Sequence, residues 1–184
     1  MDPGLPIRGR RRWSFRFAAL IGGLMLLVVV PTTGASALSK PGCAGWHYDN
    51  LSRQANSLYT LLGPYVFNNS TSNNATFTLS RTLSRTVALS VSVSVSATAD
   101  FFVGKIESKY GVDVSSSYTA SSTLTGSTIV PPHYTGYLAF GVYRVVTTGW
   151  LTYRDGLCKI LHDYGTVKVQ APAYEGFKAW EEPL

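Results

Sequence analysis

Hydroxyl and apolar residues alternate along the middle of this chain. From Thr76 to Thr98 every even position except Ala88 is Ser or Thr. The odd positions read Phe77, Leu79, Arg81, Leu83, Arg85, Val87, Leu89, Val91, Val93, Val95 and Ala97. Strict period-two alternation predicts β-strand, because successive side chains on a strand point to opposite faces, whereas a helix would mix the two sets. A second hydroxyl-rich stretch, Val112–Thr128, alternates less cleanly, with Ser116 and Ser122 among its apolar positions. Between them lies a connector with adjacent Phe101 and Phe102 and glycines at 104 and 111. The simplest arrangement is a long amphipathic hairpin.

Pro131-Pro132 ends this region, since no central strand tolerates it. Gly136–Thr148 is then aromatic and β-branched, Trp150–Tyr153 continues it, and Arg154-Asp155-Gly156 reads as a hairpin turn before Leu157–Leu161. Thr166–Gln170 reads as one more short strand. Upstream, Leu51, Ala55, Leu58, Tyr59 and Leu62 follow helical spacing until Gly63-Pro64, predicting the one helix of the mature chain. The expected class is all-β: an elongated, twisted antiparallel sheet or sandwich with long Ser/Thr-rich strands and at most one short N-terminal helix. The expected divisions are a signal peptide over 1–37, a segment with the short helix over 38–66, a β domain over 67–170 and a loose tail over 171–184.

Composition changes this picture at the N-terminus. Arg8 to Arg16 form a positive region, Phe17–Val30 an apolar run, and Ala35-Ser36-Ala37 a small-x-small cleavage site. The chain is thus expected to be exported, cut after Ala37 and secreted. The net charge of +6 belongs to this leader: from Leu38 onward 11 Lys and Arg face 9 Asp and Glu. That near balance disfavours a nucleic-acid partner. The two cysteines, Cys43 and Cys158, are expected to pair in an exported chain, as a staple and not as chemistry. Asn68, Asn69 and Asn74 each open an N-x-Ser/Thr sequon.

Nothing in the spacing calls for catalysis. The chain carries no HExxH, no paired CxxC, no Gly-rich phosphate loop and no GxSxG elbow. His47, His133 and His162 lie far apart. No catalytic residues, metal or cofactor are therefore expected, and an enzyme is unsupported.

A hairpin with one apolar and one hydroxyl face suits two settings. In a soluble fold the apolar face packs on a second sheet and the hydroxyls meet water. In a transmembrane barrel the apolar face meets lipid and the polar face lines a wet lumen, with about 9–11 residues per crossing. Leu89–Ala99 has that length. Its outward set would be Leu89, Val91, Val93, Val95, Ala97 and Ala99, and its inward set the uncharged Ser90, Ser92, Ser94, Ser96 and Thr98.

The alternating strand Phe77–Ala99, the connector with Phe101-Phe102, the returning strand Val112–Thr128 and Pro131-Pro132 before Tyr137–Thr148 form one pattern over residues 68–153. In that pattern the chain resembles the pore-forming module of aerolysin-like toxins, in the epsilon-toxin and mosquitocidal-toxin branch. The resemblance implies a hairpin stored against a long sheet that swings out on oligomerisation to pierce a target membrane. It makes 87–118 the insertion hairpin, with Val87, Leu89, Val91, Val93, Val95, Val112 and Val114 towards lipid. Phe101 and Phe102 would lie at the leading tip, and Ser115 and Ser117 would join the lumen set. The implied partners are a target membrane and further copies of the chain, with a glycan or protein receptor unidentified. The mature chain is too short for a large separate receptor domain. The competing reading is a secreted, non-catalytic β-sandwich that binds carbohydrate or protein through the aromatic stretch Tyr134–Tyr153.

Overall fold

β-Branched and aromatic residues fill the chain after Pro131-Pro132, and that segment becomes the strand on which the main sheet is organised. The computed structural model describes residues 42–184. The expected export signal over 1–37 and its cleavage after Ala37 lie outside the described residues. In chain order the elements are β1 (Gly45–Arg53), β2 (Ser57–Asn69), β3 (Ala75–Thr82), β4 (Arg85–Ala88), β5 (Ser90–Val91), α1 (Ala99–Tyr110), β6 (Ser117–Ala120), β7 (Thr123–Val130), β8 (Tyr134–Arg154) and β9 (Ile160–Pro183). The described chain is mostly antiparallel β with one short helix, so the all-β class holds.

Strand β8 is the axis. β2 pairs with its first half, from Tyr134 to Arg144, and β1 with its second, from Thr147 to Arg154. β9 runs antiparallel along the other edge for the whole length of β8, and β5 adds two residues to the far side of β9. At about 3.3 Å per residue, the 21 residues of β8 reach roughly 70 Å. The turn after β8 falls at Asp155–Lys159, where the Asp155 carboxylate accepts from the backbone N–H of Leu157 and Lys159. Cys158 there is disulfide-bonded to Cys43, 115 residues away, which fastens the chain before β1 to the β8–β9 turn.

Three expectations need correction. Leu51–Leu62 is not helical: β1 and β2 occupy it, and bulges at Asp49/Ser52, Thr60/Leu62 and Leu62/Tyr65 break the period-two pattern into an accidental helical spacing. The helix instead forms from the supposed connector. Thr98 caps it by accepting from Phe101 N–H at 3.3 Å, Asp100 lies in its first turn and Lys109 in its last. Gly111 closes it at φ 61°, the left-handed conformation that glycine takes most readily. Residues 171–184 are not a loose tail, because β9 carries on to Pro183 against Tyr134–Tyr143. Pro172 lies within β9 where the register shifts between Tyr143 and Arg144, so its missing N–H disturbs the ladder least.

The core has two centres. One gathers Leu138, Phe140 and Val142 of β8 with Leu83, Val87 and Ala120, all buried. The other gathers Tyr48, Val145, Leu151, Val167, Val169 and Ala171 of the sheet with Phe102, Ile106 and Val114. Each fully buried Leu, Val or Phe contributes about 1.5–3 kcal/mol by leaving water.

Candidate functional site

β3 and β7 pair from Ala75↔Val130 to Thr82↔Thr123, and β4 and β6 from Arg85↔Ala120 to Ala88↔Ser117. The two ladders share a single register. Leu83 N–H donates to Ser122 O and Leu89 N–H to Ser116 O, each at 2.9 Å, which bridges the gap and extends the end. Residues 75–89 and 116–130 are thus one hairpin.

Its two faces differ as the alternation predicts. On the outer face, hydroxyls pair across the strands: Thr78 with Ser127 at 3.1 Å, Ser80 with Thr125 at 2.9 Å, Thr82 with Thr123 at 2.8 Å and Thr86 with Thr119 at 3.0 Å. On the inner face Phe77, Leu79, Leu83, Val87, Tyr118, Ala120 and Leu124 pack on Leu138, Phe140 and Val142. Gly126 lets the hairpin come down close, since a Cβ there would stand 3.0 Å from the Phe177 ring. Arg81, which interrupts the apolar set, places its guanidinium 4.8 Å from the Tyr65 ring centroid.

Beyond Leu89 the arms part. Ser90 and Val91 join β9 opposite Gln170 and Val169, and Ser92 N–H donates to Lys168 O at 2.9 Å. On the returning arm Ser115 N–H donates to Pro172 O at 2.9 Å. Residues 92–98 have no regular structure, yet they keep the alternation: Val93, Val95 and Ala97 are half-buried against the sheet, while Ser92, Ser94, Ser96 and Thr98 are exposed.

The residues singled out from sequence therefore fall into three groups. Val87 and Ser117 belong to the β4–β6 pairing; Leu89, Ser90 and Val91 lie at or just past the fork. Val93, Val95, Val112 and Val114 cover the second core centre from irregular segments, with Ser115 half-buried beside them. Phe101 and Phe102 lie in α1 and not at an exposed tip. Phe102 is fully buried, edge-on to Tyr48 at 5.5 Å, and Phe101 is half-buried at 5.1 Å from it.

The histidines stay apart. His47 Nε2 bonds Cys43 O at 2.8 Å, His133 occupies the turn before β8 at φ 61°, and His162 lies between Tyr153 and Tyr164. Among the described residues no group of three His, Cys, Asp or Glu side chains is placed to hold a metal ion, and no helix is long and apolar enough to cross a membrane. One ion pair, Arg154 Nη2 donating to Asp49 Oδ2 at 3.0 Å, joins β8 to β1. Asn69, read as a sequon, is buried and donates to Asn73 O, Val130 O and Pro131 O, so its amide belongs to the structure; Asn74 is exposed.

A second feature is the open face of β2, β8 and β9: the aromatic stretch Tyr134–Tyr153 was singled out from sequence as a binding surface, but its partners on β2 and β9 were not. The Tyr137 and Trp180 rings stack at 5.1 Å and 6°, and Tyr143 stacks on Tyr174 at 5.1 Å. Burial raises the Tyr143 phenol above its ordinary value, and the neighbouring Tyr174 adds to this. Arg144 lies 4.7 Å from the Tyr59 ring centroid; burial pulls its guanidinium down, and Tyr59 opposes that. The cross-strand pairing that assembles this face needed β9 to be recognised as a full-length strand. No protein-family model matches this chain, and no curated protein is similar to it in sequence beyond chance.

Proposed function

We propose that this chain is a secreted, aerolysin-like pore-forming protein, which oligomerises and extends its hairpin through a target membrane. The disulfide supports an oxidising compartment, and hence export.

The observation that carries the reading is the register. Continuing the β4–β6 count past the fork brings Val91 opposite Val114, Val93 opposite Val112, Val95 opposite Tyr110 and Ala99 opposite Ile106. These fall on the apolar side, which Leu89 opposite Ser116 and Ala97 opposite Ser108 interrupt with one hydroxyl each. The other side receives Ser90 opposite Ser115, Ser92 opposite Asp113, Ser96 opposite Lys109, Thr98 opposite Glu107 and Asp100 opposite Lys105. The turn falls at Phe102-Val103. The sequence of α1 thus meets a strand's requirements as well as a helix's. Each extended arm has the roughly ten residues that a barrel strand needs to cross a bilayer. Ser94 and its hydroxyl neighbours would line the lumen. No catalytic group is required.

Dye release from liposomes and whole cells by the purified, oxidised chain tests this. Small dyes should escape while large dextrans stay. Val93→Lys should abolish release by setting a charge on the lipid face, whereas Ser94→Lys should keep it and alter ion selectivity. Equal loss from both variants, with folding intact, would remove the parity argument and favour a binding module that never inserts.

A further inference from the structure

The face of the main sheet turned away from the hairpin has a floor of small residues. Alternation sends Leu138, Phe140 and Val142 towards the hairpin core, so Tyr137, Ala139, Gly141 and Tyr143 project to the opposite side. Their β9 partners there are Trp180, Lys178, Gly176 and Tyr174. The stacked pair Tyr137–Trp180 stands at one end and Tyr143–Tyr174 at the other. Tyr143 lies low over the floor because position 176 is glycine: a Cβ there would be 2.9 Å from its ring. A groove of about 550 Å³ opens here, with Asn56, Ser57 and Thr60 of β2 and its approach on one side and Lys178 and Trp180 on the other.

We propose that this groove binds a saccharide. A pyranose ring has an apolar C–H face and a rim of hydroxyls, and the groove offers the complement of both. Trp180 is held by Tyr137 as a rigid plane, with Lys178 Nζ 5.7 Å from its ring centroid, and Tyr143 gives a second aromatic wall. The amide of Asn56, the hydroxyls of Ser57 and Thr60 and the ammonium of Lys178 supply donors and acceptors around the rings. Ser57 Oγ, in the groove wall, has no hydrogen-bond partner among the described residues, and a ligand hydroxyl settling beside it brings one. The volume falls in the usual range for small-ligand sites. Leu58 and Ala139 are its only aliphatic linings, too little for an acyl chain, and one cation is too few for a nucleic-acid backbone. The site lies on the opposite face from the hairpin, so it does not depend on membrane insertion.

The test is binding of the oxidised, secreted chain to immobilised oligosaccharides of glucose, galactose, mannose, N-acetylglucosamine and uronic acids. At least one class should bind. Trp180→Ala should weaken it by roughly tenfold or more, as the loss of a stacking platform implies. Thr60→Trp, which fills the groove without removing a sheet contact, should do the same, and Lys159→Ala, an exposed change in the β8–β9 turn, should leave binding unchanged. The proposal is overturned if no oligosaccharide binds to a chain of unchanged melting temperature. It fails equally if binding survives both groove variants, or if only phosphatidylcholine vesicles bind.

Discussion

Tyr48 concentrates much of what holds β1 to the sheet. Its ring meets Phe102 edge-on, and its hydroxyl lies 3.3 Å from Thr147 Oγ1 and donates to Val167 O at 3.2 Å. Burial raises the phenol's pKa above 10.0; the bond to Thr147 opposes this and Tyr110 adds to it. The neutral phenol is therefore the form the fold accepts. Its contribution is complete below the ordinary tyrosine value, and it is lost as pH rises from there through the raised folded value. Tyr48→Phe should cost about 1 kcal/mol at neutral pH, from the hydrogen bonds given up. The gap between variant and parent should then narrow, or reverse, above pH 10. Urea unfolding midpoints across that range check it, and a gap constant with pH would show that Tyr48 does not titrate against the fold.

Among the elements, the fork after Leu89 is decisive. If the arms must leave β9 to extend, tying β5 to β9 should hold them back. Ser90 and Gln170 face each other in that ladder, which puts their Cα atoms within the range a disulfide spans. The oxidised Ser90→Cys/Gln170→Cys variant should melt normally and release no dye. Mild reduction should restore release while the same treatment leaves the parent unchanged. Full release by the oxidised variant would show that the arms need not leave β9.

At this scale the limits of reading the sequence are physical. The hairpin was legible because period two runs through the first arm and recurs, less cleanly, in the second, and the turn at Arg154-Asp155-Gly156 because its residues choose the turn. β1 and β2 were hidden by three bulges, each of which flips the face of every residue after it. α1 was misread although Thr98, Asp100, Lys109 and Gly111 are sound capping signals, because its apolar residues also suit the alternation on either side. The groove residues were invisible for a different reason. Asn56 and Trp180 lie far apart along the chain, and only strand pairing brings them to one surface.

For the molecule as a whole, the Cys43–Cys158 bond, 115 residues apart in sequence, closes a loop that holds every described element except β9. The chain-entropy account gives such a closure about 4–5 kcal/mol. Cys43→Ser/Cys158→Ser should lower the melting temperature by roughly 10 °C or more in a domain of this size. Calorimetry of parent and variant decides it, and a shift of a degree or two would mean that the linked ends stay together without the bond.

The central position of β8 also has a consequence for the order in which the protein is made. β1 and β2 emerge from the ribosome early, yet their only sheet partner is β8, and β5 has to wait for β9. The hairpin at residues 75–130 can close on itself as it appears. The strands before it remain open edges until β8, Tyr134 to Arg154, has been synthesised. Such edges invite aggregation while they wait, and pairings this distant in sequence form slowly. A nascent chain stalled before Tyr134 should hold a closed hairpin and little else, with its main sheet assembled only as the last third arrives.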